Sequence, residues 1–344
     1  MMERKQIDWP TAFFLIGYQL AVIIALPFYF YFYRPSGALI AISATMLAVL
    51  GITLSSGYHR YFSHKSYKAH PIVESVLLFL SPLLVQESAL RWSFDHRRHH
   101  AFVDTDKDPY SIKKGFWYAH FTWMLYKGEP IDLKVVKDLW NNPRVRFQHR
   151  HRHLLMFGSN ILVGLIIGYL LNDYVGAFMI AVGLRLLLSH HMTWFINSLA
   201  HTWGDRPFCQ EQTAVNNFIL ALLTWGEGYH NYHHVFAKDY RNGVRWFHWD
   251  PTKWLVYGLS KIGLTSNLRK MDDETVKKMM VIKRKKLLLE RICLLAHDRQ
   301  EALKQEVIQL SEKLLENLEL KSYWRQWNHL SQKIFNSPSM LPVT

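Results

Sequence analysis

The sequence predicts an all-α integral membrane protein with four transmembrane helices and a cytoplasmic helical cap. The first observation is four long apolar runs with almost no charge, each close to the roughly 20 residues that cross a bilayer. The second is the placement of Lys and Arg, which lie almost entirely outside the two short links between paired runs. The third is a concentration of histidines in the polar segments that flank the runs.

The four runs pair into two helical hairpins. Arg34 to Ser36 links the first pair, and Asn172-Asp173 links the second. Arg34 is the one basic residue in these links, and basic residues mark the cytoplasmic side of membrane proteins. Both termini and the cap are therefore expected in the cytoplasm. The predicted spans are residues 11–33, 37–58, 154–171 and 174–196, and the cap comprises 59–153 and 197–270.

Three segments depart from the simple pattern of uncharged spans and polar links. Residues 72–85 are apolar but include a glutamate and are too short to cross, so we expect an interfacial or half-buried helix. Arg185 lies well inside the fourth run, where a charge costs roughly 2.5–3.5 kcal/mol, so it either faces a polar cavity or snorkels to the inner interface. Thr193, Asn197 and His201 share one helical face, so the fourth helix is expected to continue beyond the bilayer.

Composition places the chain among basic membrane proteins of one or two domains. Its 344 residues carry a net charge of +14, and two cysteines cannot build a disulfide framework, which fits a reducing compartment. The N-terminus lacks the short apolar core of a cleavable signal peptide. No nucleic-acid partner is expected.

The chain divides into a membrane domain, 1–270, and a C-terminal extension, 271–344. Apolar residues in the extension follow a heptad-like spacing, which predicts one or two amphipathic helices. The basic run Lys283–Lys286 is expected to be solvated or to face the membrane. The heptad positions are Leu303, Val307, Leu310 and Leu314.

Nine of the 19 histidines lie in four short motifs. Two motifs have the spacing i, i+3, i+4, a third has i, i+5, and the fourth is one histidine with an asparagine one helical turn before it. The lone or paired His120, His190 and His191 are expected to be hydrogen-bonded instead of ligating a metal. The nine motif residues are His59, His64, His96, His99, His100, His201, His230, His233 and His234.

Nine imidazoles point to two metal ions. One zinc ion uses about three or four ligands, and imidazole also suits iron, copper and nickel. Neighbours in the pairs 99/100 and 233/234 project about 100° apart on a helix, so each pair can serve two adjacent metals. His59 and His64 are about 140° apart on an α-helix, so they either reach different ions or the helix ends between them. We interpret the cluster as a dinuclear metal centre.

These motifs resemble those of the membrane-bound fatty acyl desaturases, most closely the acyl-CoA Δ9 (stearoyl-CoA) desaturases. The resemblance runs from about Gly51 to Arg269 and includes His59-Arg-Tyr-Phe-Ser-His-Lys-Ser-Tyr-Lys-Ala69, Trp92-Ser-Phe-Asp-His-Arg-Arg-His-His100, Asp108-Pro109, Asn197-Ser-Leu-Ala-His201 and Gly226-Glu-Gly-Tyr-His-Asn-Tyr-His-His234. It implies two iron ions (Fe2+/Fe3+), with O2 as co-substrate and a cis double bond, here Δ9, as the product. It also implies an acyl-CoA substrate in a lipid bilayer and a separate electron donor, namely a ferredoxin, cytochrome b5 or reductase.

The resemblance also assigns residue roles. The nine motif histidines would be the metal ligands, and Asn197 would hold a metal-bound water. Asp95 would contact the thioester head group, and Lys113 and Lys114 the coenzyme A phosphates. The residues expected to line the acyl tunnel near the site of chemistry are Gln86, Trp92, Thr193 and Trp194.

A chain-length gate is expected on the second span. Leu47 and Gly51 share the helical face that leads to His59, about 18 and 12 Å from it, and the family places its tunnel-floor side chains there. Glycine at 51 would let the acyl chain pass, and Leu47 would stop it. The alternative is that Gly51 merely permits close helix packing.

Other functions stay open on sequence alone. The animal enzymes carry an arginine directly before the aspartate of the second motif, where this chain has Phe94. Arg91 is the candidate substitute, and an acyl-lipid or acyl-carrier-protein substrate stays open. A di-iron fatty acid or alkane hydroxylase is the second enzyme hypothesis, and a metal-handling carrier is a hypothesis of another class. The compact form suggests a bacterial inner membrane.

Overall fold

Four long helices dominate the structure, a computed structural model that describes residues 6–295 and 297–337. Each is long and apolar enough to cross a membrane, in agreement with the four predicted spans, and the bent pair Pro71–Leu84 and Ala89–Phe102 passes the same test when its two helices are taken together. The predicted domains reach residues 1 and 344, which lie outside the described residues. The four helices are Trp9–Phe32, Gly37–Ser63, Leu154–Leu171 and Tyr174–His201.

The first hairpin consists of α1 (Trp9–Phe32) and α2 (Gly37–Leu54). The carboxylate of Asp8 accepts the Thr11 amide and caps α1, and the hydroxyl of Ser36 caps α2. From the last residue of α2 the chain continues as a π-helix, Ser55–Ser63, without leaving the helical path. This extension carries His59, and His64 follows it directly.

A short bent element follows the first hairpin. Helix α3 (Pro71–Leu80) passes into a 3₁₀ turn, Ser81–Leu84, and then meets α4 (Ala89–Phe102) at an angle of 84°. The predicted short helix at 72–85 is therefore present. Just before α3, strand β1 (Lys68–Ala69) pairs antiparallel with β2 (Thr265–Ser266).

Short helices lead to the second hairpin. They are α5 (Phe116–His120), α6 (Lys137–Trp140) and α7 (Pro143–Arg150). In the third long helix a π-turn, Leu154–Gly158, precedes α8 (Ser159–Leu171). The fourth consists of α9 (Tyr174–Gly176), a π-segment, Ala177–Leu184, α10 (Arg185–Ser198) and a last 3₁₀ turn, Leu199–His201. As predicted, this helix runs on to His201.

Arg185 is buried and does not snorkel. Its guanidinium donates to the backbone oxygens of Ala181 (2.7 Å) and Leu83 (3.0 Å) and to the side-chain oxygen of Asn160. Only 1% of the residue is exposed. Oxygen atoms of the protein therefore replace the water that a snorkelling arginine would seek.

The chain forms two compact units. The first comprises the described residues up to Gly204 together with Thr213–Arg269. Within its last part lie α11 (Phe218–Leu223), α12 (His230–Val235) and α13 (Pro251–Lys261).

The second unit comprises Asp205–Gln212 and the described residues from Lys270 onward. It contains three helices where one or two were predicted, because a turn near Leu294 divides the heptad region from the basic helix. They are α14 (Asp273–Ile292), α15 (His297–Glu316) and α16 (Lys321–Asn336). The heptad residues pack in the unit's own core, and Lys283 and Lys286 pair with Glu211 of the same unit.

Candidate metal centre and apolar cavity

Four elements bring the nine motif histidines together. They come from the π-helical end of α2 with the following turn, from α4, from the end of the fourth long helix, and from α12. Seven of the nine are buried, and His100 and His234 are partly exposed.

The imidazoles form two groups, and within each group the candidate donor nitrogens all lie within 4.8 Å of one another. Each adjacent pair, 99/100 and 233/234, is divided between the groups, as the 100° helical step predicts. The first group is His59, His64, His96, His100 and His233, and the second is His99, His201, His230 and His234.

The spacing of the nitrogens fits ions at the group centres. In the first group His59 Nε2 lies 2.9 Å from His233 Nε2, which lies 3.0 Å from His100 Nε2. In the second, His230 Nε2 lies 3.2 Å from His201 Nε2 and 3.0 Å from His234 Nε2. Two nitrogens bound about 2.1 Å from one ion lie roughly 3.0–3.4 Å apart. The donor set therefore fits two metals.

His59 and His64 belong to the same group, so the expectation that they reach different ions is wrong. The other expectation is confirmed, because the helix ends at Ser63, between the two histidines. Ser55–Ser63 is a π-helix, and the His64 amide donates to the His59 carbonyl at 3.2 Å. A π-helix joins residues i and i+5, so side chains five apart lie almost above one another. The α-helical angle of 140° does not apply.

Protein groups hold the outer nitrogen of several imidazoles. His99 Nδ1 donates to Asp108 at 3.0 Å, and His96 Nδ1 lies 3.2 Å from the Tyr110 hydroxyl. His201 Nδ1 lies 2.7 Å from the Thr213 hydroxyl, which donates to Asp104 at 2.6 Å. An imidazole that donates from Nδ1 presents the Nε2 lone pair to the interior, where neighbouring lone pairs repel without a cation. Sequence reasoning had assigned no role to these partners.

Glu227 connects the first group to a buried charge network. One carboxylate oxygen lies 2.8 Å from His59 Nδ1, and the other accepts from Arg60 at 3.1 Å and from Ser55. Asp250 holds the same guanidinium at 2.9 and 3.1 Å. Burial alone would raise the pKa of Glu227, but its interactions with His59 and Arg60 outweigh burial and lower the pKa to about 2. Glu227 is therefore ionised at neutral pH.

Burial favours the neutral form of several imidazoles in the cluster. It lowers the pKa of His96, His100, His230, His233 and His234 well below the usual range, and neighbouring imidazoles lower it further. A neutral imidazole is the form that ligates metals, because the lone pair is free. These five imidazoles are therefore in the form that accepts a cation.

A mostly apolar cavity of about 800 Å³ adjoins the first group. Its volume lies within the roughly 300–1,000 Å³ of small-molecule sites. Gln86 Nε2 donates to the Thr193 hydroxyl at 2.9 Å across it. The predicted residues on its wall are His59, Gln86, Trp92, Asp95, His96, Thr193, Trp194, Asn197, Leu47 and Gly51.

The two lysines predicted to meet coenzyme A are not on this wall. Lys113 and Lys114 lie in the exposed turn Ile112–Lys114, and Lys114 donates to a backbone oxygen at 2.9 Å. Arg91 lines the cavity and forms two bonds of 2.8 Å to Asp95. Burial raises the pKa of Asp95 to about 6, although Arg91 opposes this.

The space beside Gly51 is filled by Trp225. A Cβ atom at position 51 would lie 1.7 Å from the indole Nε1, so any side chain there displaces the ring. Trp225 itself has a left-handed backbone, with φ of 59°, and lines the cavity with Leu47. The glycine does permit close packing, but its partner is an aromatic side chain 174 positions away, which no local pattern reveals.

Comparisons with known proteins place this geometry in context. The sequence model of the family described as fatty acid desaturase matches residues 35–260. A probable acyl-CoA desaturase of Schizosaccharomyces pombe is 45% identical over 244 residues, which are 70% of this chain and 51% of that protein. Acyl-CoA desaturase 1 of Saccharomyces cerevisiae is 40% identical over 240 residues, 68% of this chain and 46% of that protein. The chain thus spans about half the length of these two relatives.

A third relative is covered more fully. Stearoyl-CoA desaturase 5 of Bos taurus is 30% identical over 288 residues, which are 80% of this chain and 83% of that protein. Further relatives are named for other positions of the double bond, namely an icosanoyl-CoA 5-desaturase, acyl-CoA Δ11 desaturases and an acyl-CoA Δ12-desaturase. Similarity of sequence alone therefore does not select the position.

Proposed function

Because the chain belongs to the fatty acid desaturase family, we propose that it is an O2-dependent acyl-CoA desaturase that introduces a cis double bond into a saturated fatty acyl chain. The observation that carries the proposal is the convergence of nine imidazoles in two groups, with members of the first also lining an apolar cavity. A carrier would need its histidines along a transport path, whereas here they enclose two compact points.

The nine histidines would hold two iron ions, with Asn197 holding a metal-bound water. Iron bound there would supply the oxidising power that no side chain has, because removing hydrogen from an unactivated carbon requires activated O2. The protein's own contribution is to position the chain and to keep water away from it. Asp108, Glu227 and Thr213 would fix the tautomers of the imidazoles they contact.

The cavity would hold the acyl chain. Trp92 and the hydrogen-bonded pair Gln86–Thr193 would set which carbons face the metals, with Trp194 beside them. Asp95, held by Arg91, would contact the thioester head group. Lys113 and Lys114 would meet phosphates of coenzyme A outside the cavity. Leu47 and Gly51, with Trp225 against the glycine, would form the floor that limits chain length.

We propose Δ9 as the position of the double bond, a cytoplasmic metal centre and a bacterial inner membrane. The Δ9 proposal rests on the resemblance around Gln86, Trp92 and Thr193. The proposed orientation rests on the placement of basic residues, which mark the cytoplasmic side of membrane proteins. Arg34 is the one basic residue in the two short links between paired spans. A separate electron donor completes the proposal, because the reaction takes two electrons per O2.

Lipid profiling tests the proposal. Cells that express the chain, or its His234→Ala variant as the control, are fed saturated fatty acids, and the double bonds are located by derivatisation and mass spectrometry. We expect new Δ9 monounsaturated chains with the parent alone. Hydroxylated chains would support the hydroxylase alternative, a dominant Δ5 or ω3 product would contradict the Δ9 assignment, and identical profiles would refute the enzyme assignment.

A further inference from the structure

Helix α13 buries polar side chains and exposes large apolar ones, the reverse of a helix on the surface of a water-soluble protein. Thr252 and Lys253 are buried, and the Lys253 ammonium donates to three backbone oxygens at 2.6–3.0 Å. Trp254, Leu255 and Tyr257 are 42–49% exposed. Large apolar side chains outside and an ammonium inside indicate that something other than water covers the outer face.

Helix α11 shows the same feature. Phe218, Ile219, Leu222 and Leu223 are 40–61% exposed, in a helix of six residues. Between α11 and α13, Trp246 is 84% and Phe247 is 56% exposed. These outer side chains, together with Trp254, Leu255 and Tyr257 of α13, are called the α11–α13 face below.

The contacts of Trp225 place this face at a defined depth. Trp225 lies two residues after the end of α11, its indole fills the space beside Gly51 of α2, and its backbone oxygen accepts from Thr252 of α13 at 3.3 Å. Gly51 lies about 21 Å along the helix from Gly37. If the hydrocarbon core, about 30 Å thick, begins near Gly37, Gly51 lies about 9 Å inside its other edge. Both helices are thus tied to α2 at membrane depth.

The chemistry of the face matches a membrane interface. Tryptophan and tyrosine concentrate where hydrocarbon meets head groups, with basic side chains nearby. The Lys261 ammonium lies 4.7 Å from the centre of the Tyr257 ring, and the Arg245 guanidinium 5.9 Å from that of Phe247.

We propose that the α11–α13 face is embedded in the bilayer interface at the histidine-bearing end of α2. Acyl chains and head groups of lipids cover it, so this end of the molecule contacts lipid beyond its four spanning helices. The inference is independent of the reaction that the metal centre catalyses.

Spin labelling of the full chain tests this inference. Leu223→Cys and Leu255→Cys are labelled in a background carrying Cys209→Ser and Cys293→Ser, and the protein is reconstituted in phosphatidylcholine vesicles. Lys238→Cys, an exposed residue of the same unit, is the control. The ratio of collisions with O2 to collisions with a water-soluble nickel chelate should be severalfold higher at 223 and 255 than at 238. Ratios at 223 and 255 equal to that at 238 would overturn the proposal. Low access of both reagents to 223 and 255, together with dimers of the chain captured by cross-linking, would also overturn it.

A second measurement needs no new cysteine. Brominated lipids should quench the tryptophan fluorescence of the parent, and Trp254→Phe should remove part of the quenched signal. A Trp254→Phe variant that loses only unquenched fluorescence would also overturn the proposal.

Discussion

At the scale of single residues, the partners of the two ring nitrogens distinguish the candidate metal ligands from the structural histidines. His120 Nδ1 lies 3.0 Å from the Ser198 hydroxyl, and His120 Nε2 lies 3.0 Å from His191 Nδ1. His190 Nδ1 contacts the Tyr18 hydroxyl, and His190 Nε2 donates to the backbone oxygen of Leu84. His99 differs from both, because Asp108 holds its Nδ1 and its Nε2 lies in a group of four imidazoles whose donor nitrogens are all within 4.8 Å of one another. The expectation that His120 and His190 are hydrogen-bonded is therefore confirmed.

Glu227→Gln should weaken metal binding with little change in fold. The substitution removes the charge beside His59 Nδ1, while Arg60 keeps Asp250 as a partner. Loss of such an outer partner typically costs about 10–100-fold in metal affinity or activity. Iron retained after dialysis against a chelator, and turnover, are the measurements. Glu306→Gln, on an exposed site, is the control, and retention equal to that control would refute the positioning role.

Trp225→Ala and Leu47→Ala should shift the preference toward longer acyl chains. Each removes bulk from the proposed floor, where room for one extra methylene is worth about 10–200-fold in specificity. We expect kcat/KM for longer relative to shorter acyl-CoA substrates to rise by about 10-fold or more. Trp246→Ala, outside the cavity, should leave the chain-length preference unchanged. Unchanged profiles in folded, metal-loaded variants would place the gate elsewhere.

At the scale of elements, irregular helices position the site. The π-helix after α2 turns His59 and His64 to one side, and the 3₁₀ turn after α10 ends at His201. Arg185 and His190 hold the backbone of Leu83 and Leu84, just before the cavity-lining residue Gln86. The bent element between α3 and α4 is thereby fastened to the second hairpin.

Arg185→Met should lower thermal stability markedly. Three buried oxygens would lose their donor, at a cost of about 1–3 kcal/mol for each one left unsatisfied. Arg185→Lys, which keeps a positive charge and a hydrogen-bond donor, should lose less stability. The midpoint of unfolding in nanodiscs is compared with that of Arg34→Met, which alters the exposed link. Equal midpoints for the two methionine variants would show that the hydrogen bonds of Arg185 contribute nothing to thermal stability.

At the scale of the whole molecule, distant segments must meet before the centre exists. The folded parent chain should contain two metal ions, iron when active, and zinc can substitute because imidazole binds both. His234→Ala leaves three imidazoles in its group and should retain fewer metals than His100→Ala, which leaves four. Both should insert into membranes yet lose turnover, with His329→Ala as the control. Elemental analysis showing one metal or none per folded parent chain would contradict this.

Turnover should require a second protein that supplies electrons. The net charge of +14 favours an acidic donor, and its encounter rate should fall as salt screens the attraction. Steady-state rates with a purified ferredoxin or cytochrome, measured across ionic strengths, provide the check. Desaturation with NADPH alone would refute the requirement.

The sequence by itself determined the types of the principal elements and which histidines the fold brings together. Apolar runs define four spans because hydrocarbon excludes charge, and helical spacing divides His99 from His100 and His233 from His234. These are local properties, which depend on a few neighbouring residues.

Only the tertiary structure decided how the segments meet. It turned His59 and His64 to the same group through a π-helix, brought Glu227 to His59, and laid Trp225 on Gly51. Such outcomes depend on contacts between residues far apart in the chain, where packing and charge pairing outweigh local preference. For the same reason Lys113 and Lys114 lie off the cavity wall, while Thr213 contacts His201 although no sequence motif included it.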